Sequence, residues 1–469
     1  VWSRNNRPKF KAEFQHLLID LDDKTGGVVI VKKRVVWAGC LLPLLWLASS
    51  GIAWAADAPK IDSGDTSFVL ICAALVLLMT PGLAFFYGGM VRRKNVLSTI
   101  MHSFIIICVI SVQWVLFGYS IAFGPDKMHL IGSLAWLGLS GVGGAPNPNY
   151  APTIPHLAYM AFQLMFAVIT AALISGSFAE RFRFPAFLIF TLLWTTIVYD
   201  PLAHWVWGYG GWLGRLGVLD FAGGTVVHIS SGVSGLVTAL VLGKRYGYRK
   251  EPMVPHNVPF IALGAGLLWF GWFGFNAGSA LAANGLAASA FVVTNTAAAA
   301  AGLAWVCTEW IHNGKPTLFG AASGCVAGLV AITPASGFVT PMSAIAIGLA
   351  GGVICYFAVS VMKAKLDYDD ALDTFGVHGF GGTWGALATG LFATTAVNAN
   401  GHNGLFYGAP GQLGLQLIGV LATWVFAAAM TFLILKVVSL FTSLRASEAE
   451  EIAGLDLPMH GERAYDYIS

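Results

Sequence analysis

From about residue 67 onward the chain is a succession of long apolar runs separated by short polar or basic stretches. A helix needs about 20 apolar residues to cross the hydrocarbon of a bilayer. Eleven runs meet that length, at about 67–88, 97–124, 156–178, 184–207, 221–243, 258–277, 287–312, 318–336, 341–362, 372–394 and 412–440. None alternates polar and apolar residues as the strands of a membrane barrel would. The pattern therefore predicts an all-α polytopic membrane protein with eleven transmembrane helices.

Composition narrows the class. Of 469 residues, 57% are hydrophobic and 10% charged, against about 25% charged in a soluble domain. A soluble enzyme, a disordered chain and a nucleic-acid binder are excluded. The 56 glycines suit close helix packing in lipid. The six cysteines are scattered without a CxxC pair, and read as small apolar residues rather than a disulfide or metal framework.

The first 55 residues have a different character. Lys32, Lys33 and Arg34 precede an apolar run over 35–52, and Ala53-Trp54-Ala55 follows as a small-x-small cleavage site. Residues 31–55 are read as a signal peptide and 1–30 as an extension produced by a mis-assigned start, with synthesis beginning nearer Val28 to Val31. An uncleaved first helix is the alternative. Cleavage after Ala55 leaves 18 Lys/Arg and 19 Asp/Glu, so the full chain's net charge of +3 says nothing about partners. The membrane domain is then 56–443, followed by a polar tail over 444–469.

Charge also orients the helices. Stretches after odd-numbered spans carry twelve basic residues, among them Arg92, Arg93, Lys94, Arg181, Arg183, Lys244 and Arg245, whereas those after even spans carry Lys127 and Arg215. The positive-inside rule places the mature N-terminus outside and the tail in the cytoplasm.

Two segments resemble each other: Asp220-Phe-Ala-Gly-Gly-Thr-Val-Val-His228 and Asp373-Thr-Phe-Gly-Val-His378. Each ends in Val-His, and Gly recurs at +4 and +7 beyond each His. One opens span 5 and the other span 10. Helices five spans apart enter from opposite faces, which predicts an inverted 5+5 repeat with span 11 added. His228 lies eight residues past Asp220, about 12 Å down a helix at 1.5 Å per residue. His378 enters to a similar depth from the other face.

An ionisable residue inside a membrane is a functional candidate. His228 and His378 are read as a facing pair lining a pore, where one ring nitrogen donates to another or to a small polar solute. Two separate packing histidines are the alternative, and without a third ligand no metal site is expected. Asp220 is a natural N-cap for the amides of Gly223 or Gly224; direct cation binding is its other reading. Asp369, Asp370 and Asp373 would cap and anchor span 10, and Glu180, beside Arg181 and Arg183, would form a loop ion pair. Trp207 stands at the outer end of span 4, as an interface anchor or as a cation–π surface. Phe275 and Ser279 close span 6 in Gly271-Trp-Phe-Gly-Phe-Asn-Ala-Gly-Ser279.

These motifs, together with Thr80-Pro-Gly-Leu-Ala-Phe-Phe-Tyr-Gly-Gly89 and the tail Leu455-Asp-Leu-Pro-Met-His-Gly-Glu-Arg-Ala-Tyr465, resemble the ammonium transporters of the Amt/Mep/Rh group, bacterial Amt type. The resemblance covers about residues 60–469. It implies a homotrimer in the bacterial inner membrane with a pore in each subunit and no cofactor. It implies an outer ammonium site at Phe166, Trp207 and Ser279, with Asp220 nearby, a gate of Phe166 and Phe275, and a pore lined by His228 and His378. Phe162 and Gln163 match the family's Phe-Gln pair. The stretch from Trp207 to Asp220 is one residue longer than in close relatives, which keeps Trp205 and Trp212 as alternatives. The tail resembles the segment that regulates these transporters and helps bind the PII signal protein.

The expected function is ammonium recruitment, deprotonation and conduction of ammonia through an apolar pore, because a bare ion is costly to hold in a dry pore; net charge movement is expected from the retained histidine pair. Competing readings are a Rh-like neutral gas channel and an ammonium sensor. An enzyme is not expected: the sequence offers no nucleophile and no complete metal site.

Overall fold

The computed structural model describes residues 61–465. The predicted extension and signal peptide lie outside the described residues. The spans form as helices. The first two are α1 (Ser63–Met90) and α2 (Val96–Gln113), the latter running through a π turn at Trp114–Gly118 into Tyr119–Phe123. Next come α3 (His156–Ile174) and α4 (Phe184–Trp194), which continues through a π turn at Thr195–Tyr199 into Asp200–Trp207. A π turn at Gly224–Ile229 leads into α5 (Ser230–Leu242), followed by α6 (Val258–Gly278), α7 (Gly285–Asn313) and α8 (Leu318–Ile332). Helix α9 (Pro341–Phe357) runs through a π turn at Ala358–Met362 into Lys363–Leu366. A π turn at Phe375–Gly379 opens α10 (Phe380–Phe392), and α11 (Gly411–Ser439) completes the set. Two short tail helices follow, α12 (Glu448–Ala453) and α13 (Asp456–His460).

Nine of these segments, among the described residues, are long and apolar enough to cross a membrane, and α8 is a shorter apolar helix. It stops at Ile332, four residues before the predicted end, because the chain turns through Pro334, which cannot continue a helix.

The repeat shows in matched local deformations. Spans 4 and 9 each carry a mid-helix π turn, and spans 5 and 10 each begin with one. The two histidine helices also cross reciprocally at their matched glycines. A Cβ on Gly232 would lie 2.2 Å from Gly379 N, and one on Gly382 would lie 2.9 Å from His228 Cβ. Only a residue without a side chain lets each backbone come so near the other helix's histidine turn. Helix α6 approaches α1 just as closely: a Cβ on Gly264 would lie 2.3 Å from Phe86 N.

The stretches after spans 1, 3, 5 and 9 meet at one end of the bundle, and the tail is laid across them. Glu180 is a loop ion pair, but not with its neighbours Arg181 and Arg183. It reaches Arg92 at 2.7 Å and Arg245 at 3.5 Å. Arg181 instead pairs with Asp369 and Arg183 with Glu450. Glu180 itself sits in the left-handed region, with φ of 72°. Burial works against the Glu180 carboxylate, yet Arg245 and Arg92 hold it below the usual range. Of the three aspartates expected to cap α10, Asp370 does so, accepting from Phe375 N at 2.7 Å. Asp369 chelates Arg245 through both oxygens, and Asp373 pairs with Lys363. The tail joins this layer through Ala446 N to Arg181 O, Glu451 Oε2 accepting from Tyr246 N, and Asp456 Oδ1 accepting from Ser98 N.

Candidate functional site

A column of aromatic and imidazole side chains runs between the two halves of the repeat. At one end Asp220 shapes the entry to α5. Its Oδ1 accepts from Gly223 N at 2.8 Å and Gly224 N at 2.7 Å, and its Oδ2 accepts from Thr225 N at 2.8 Å and from the Thr225 hydroxyl. The carboxylate is therefore occupied by the amides at the start of the π turn, the positive end of a helix, where a negative charge is favoured. Gly223, with φ of 116°, is the residue that lets the backbone fold around it. Trp207 is tied to the same loop, donating Nε1–H to Asp220 O at 2.9 Å.

Below Trp207 lies Phe166, edge-on to it with ring centroids 5.8 Å apart. Phe166 and Phe275 stack at 4.2 Å and are buried to 1% and 0% exposure, so these rings close the column. Phe162 packs on Phe166 from one turn earlier in α3, and Gln163 turns to Tyr159. Ser279, just past the end of α6, donates its hydroxyl to Phe275 O at 2.8 Å. Trp205 and Trp212 are not part of the column. They pack against each other, and Trp205 donates to Leu130 O and faces Phe426.

Beneath the rings His228 Nδ1 and His378 Nδ1 are 3.2 Å apart. One of these nitrogens donates and the other accepts. The rings are nearly coplanar, tilted by 23°. The space beside them is a narrow cavity of about 10 Å³, room for one water-sized molecule, walled by Met79, Leu83, Ile169, Leu268, Trp272 and Val326. His228 Nε2 is buried without a hydrogen-bond partner among the described residues.

Two contributors escaped sequence reasoning. Trp272 lies parallel to His228 at 5.3 Å and is anchored through Thr333 Oγ1 at 2.8 Å. It sits inside the Gly271–Ser279 motif, so its neighbourhood was marked and its role was not. Gln416 of α11 clamps the loop before Asp220, accepting from Leu219 N and donating to Leu219 O, each at 2.7 Å. A glutamine in an apolar span was its only signal. No group of three or more metal-ligating side chains occurs among the described residues.

Fold and column together define an α-helical membrane protein whose inverted repeat encloses a narrow, mostly apolar cavity. The sequence matches the Ammonium Transporter Family over residues 67–465. It is 60% identical over 402 residues to an ammonium transporter of Bacillus subtilis, covering 86% of this chain and 98% of that one. It is 47% identical over 404 residues to the ammonium transporter Amt1 of Archaeoglobus fulgidus, covering 86% and 100%. Among solved structures it is similar to Mep2 of Saccharomyces cerevisiae, with a TM-score of 0.78 and 38% identity over 83% of this chain and 88% of that one. It is also similar to a sensor Amt protein, with a TM-score of 0.79 and 31% identity over 85% and 98%. The chain belongs to the ammonium transporter family.

Proposed function

We propose that this membrane protein gathers ammonium at Trp207, Phe166 and Ser279, removes its proton at the Phe166–Phe275 gate, and passes ammonia along His228 and His378. The observation that carries the reading is the paired imidazoles in an apolar space with room for one small molecule. Desolvating an ammonium ion there is far costlier than passing neutral ammonia, while a free imidazole nitrogen offers ammonia a hydrogen bond. The outer aromatic face supplies cation–π attraction before the ion is stripped of water. Asp220 acts indirectly, since its oxygens are engaged by the backbone.

The proton follows separately, so transport moves net charge. The protein works in the inner membrane as a homotrimer, with its mature N-terminus outside and its tail in the cytoplasm as a docking place for PII. The basic layer shared by the odd-span loops and the tail supports that orientation. The test is an ammonium pulse on proteoliposomes adsorbed to a solid-supported membrane, with internal pH read alongside. A saturable current absent from empty liposomes, abolished or altered by His228→Leu and by His378→Leu, is the expected outcome. Internal alkalinisation without current overturns the charge movement and leaves a neutral ammonia channel. Unchanged current in both variants overturns the role of the imidazoles.

A further inference from the structure

A second polar site lies between α2 and α4, outside the column. Asp200 is seven residues before Trp207, about 10 Å deeper along the helix, and its side chain is fully buried. Its Oδ2 accepts from Gln113 Nε2 at 2.7 Å, and the same nitrogen donates to Thr196 Oγ1 at 3.3 Å. The Thr196 hydroxyl is itself spent on Leu192 O. Both amide hydrogens of Gln113 are thus used, which fixes which end of the amide is oxygen. Asp200 Oδ1 and Gln113 Oε1 are both buried with no hydrogen-bond partner among the described residues. Two acceptors on groups already joined by one hydrogen bond are each short of a donor, in a region where nothing solvates them.

The backbone is deformed at both residues. Gln113 immediately precedes the π turn of α2, and Asp200 immediately follows that of α4. Such turns frequently accompany functional sites. Gly118 makes the room: a Cβ there would lie 2.4 Å from Gln113 Oε1. The titratable groups around the pair are phenols. Tyr199 adjoins Asp200, Tyr159 of α3 faces Tyr199, and Tyr119 lies in the continuation of α2. Helix α11 packs here too, and its only ionisable residue, Lys436, is exposed near its far end.

We propose that Asp200 and Gln113 form a proton-binding site, in which one proton on Asp200 Oδ1 is donated to Gln113 Oε1. The acid and the amide then close a ring of two hydrogen bonds, N–H to Oδ2 and O–H to Oε1. A single proton satisfies both orphaned oxygens and removes an unpaired charge from the membrane interior. No other bond is made or broken: a carboxylate and a proton become a carboxylic acid. The pair shares no residue with the column from Phe166 to His378, so its test stands apart from the transport reading.

Infrared difference spectroscopy of the full chain in lipid at pH 8 tests this. Asp370 is the other buried aspartate of concern; burial pushes it up to about 6, so it is ionised at that pH. The wild type should show the carbonyl stretch of a protonated carboxylic acid, shifted by carbon-13 labelling of aspartate. The band should be lost in Asp200→Asn and displaced in Gln113→Leu, where the acid survives and its amide partner does not. Absence of the band from the wild type, or its survival in Asp200→Asn, overturns the site. Should Asp200→Asn fail to fold, labelled wild type and Gln113→Leu decide alone, and a band unmoved by Gln113→Leu is a negative result.

Discussion

Replacing Asp220 separates a carboxylate that binds ammonium from one that builds the loop holding Trp207 in the proposed ammonium site. Five donors converge on it: the amides of Gly223, Gly224, Thr225 and Val226, and the Thr225 hydroxyl. Losing an ordinary N-cap costs about 0.5–2 kcal/mol, because water takes its place. Here the side chain is only 7% exposed, so Asp220→Ala strands donors that water does not reach. At about 1–3 kcal/mol for each stranded donor, two or three of them cost roughly 3–6 kcal/mol. Asp220→Asn keeps one accepting oxygen and turns an N–H₂ toward the other donors, so about half that loss follows. In a chain of this size the alanine variant should melt roughly 4–8 °C lower, with the asparagine variant between it and the wild type. The assay pairs thermal unfolding in detergent, without ammonium, with the ammonium-evoked current. Stability and transport should fall together, because the same loop holds Trp207 through Asp220 O. A variant that loses ammonium affinity while melting like the wild type would refute the indirect role and make Asp220 a ligand.

Gly232→Val drives a side chain into the Gly379 backbone, where even a Cβ has 2.2 Å; overpacking of about 1–3 kcal/mol or more should reduce the folded yield on fluorescence-detected size exclusion, and a normal yield would contradict the crossing. Glu180→Gln leaves Arg92 and Arg245 facing a neutral group in a buried place, a loss of about 3–5 kcal/mol visible in the melting temperature. Because those arginines hold the Glu180 carboxyl below its ordinary value, its stabilisation is present at neutral pH and is lost as pH falls through that lowered value; a pH-independent difference between variant and wild type would oppose this. Asp370 has the opposite sign: raised from 3.8 to about 6 by burial and by Asp373, it contributes stability that is full below pH 3.8 and lost as pH rises through about 6. Melting temperatures across that window should slope in the wild type and flatten in Asp370→Asn.

Much of the candidate site was legible before any coordinates. The matched Val-His motifs marked His228 and His378 as partners, and the structure brings them to 3.2 Å. The Asp220 cap was legible because an acidic residue followed by two glycines at a helix start is a local pattern. The ion-pair layer was not: Glu180 stands beside two arginines in sequence and bonds to two others far along the chain. Charge attraction acts through space, so Glu180 pairs with the arginines of the loops the fold brings beside it, Arg92 and Arg245. Likewise the sequence favoured Trp207 but kept Trp205 and Trp212 as alternatives; in the structure Trp207 packs edge-on to Phe166, while the other two pack against each other.

By itself the sequence determined the solvent and the symmetry. Runs of about 20 apolar residues have no stable place but a bilayer as helices, and a motif repeated five spans later forces the two halves into opposite orientations. Tertiary structure alone decided the contacts: the 3.2 Å approach of His228 to His378, the stacking of Phe166 on Phe275, Trp272 against His228, and the half-satisfied pair of Asp200 and Gln113. Each joins residues from different helices. Helical periodicity specifies which face a residue occupies, but which faces meet follows from glycine crossings and π turns that shift a side chain's register by a fraction of a turn.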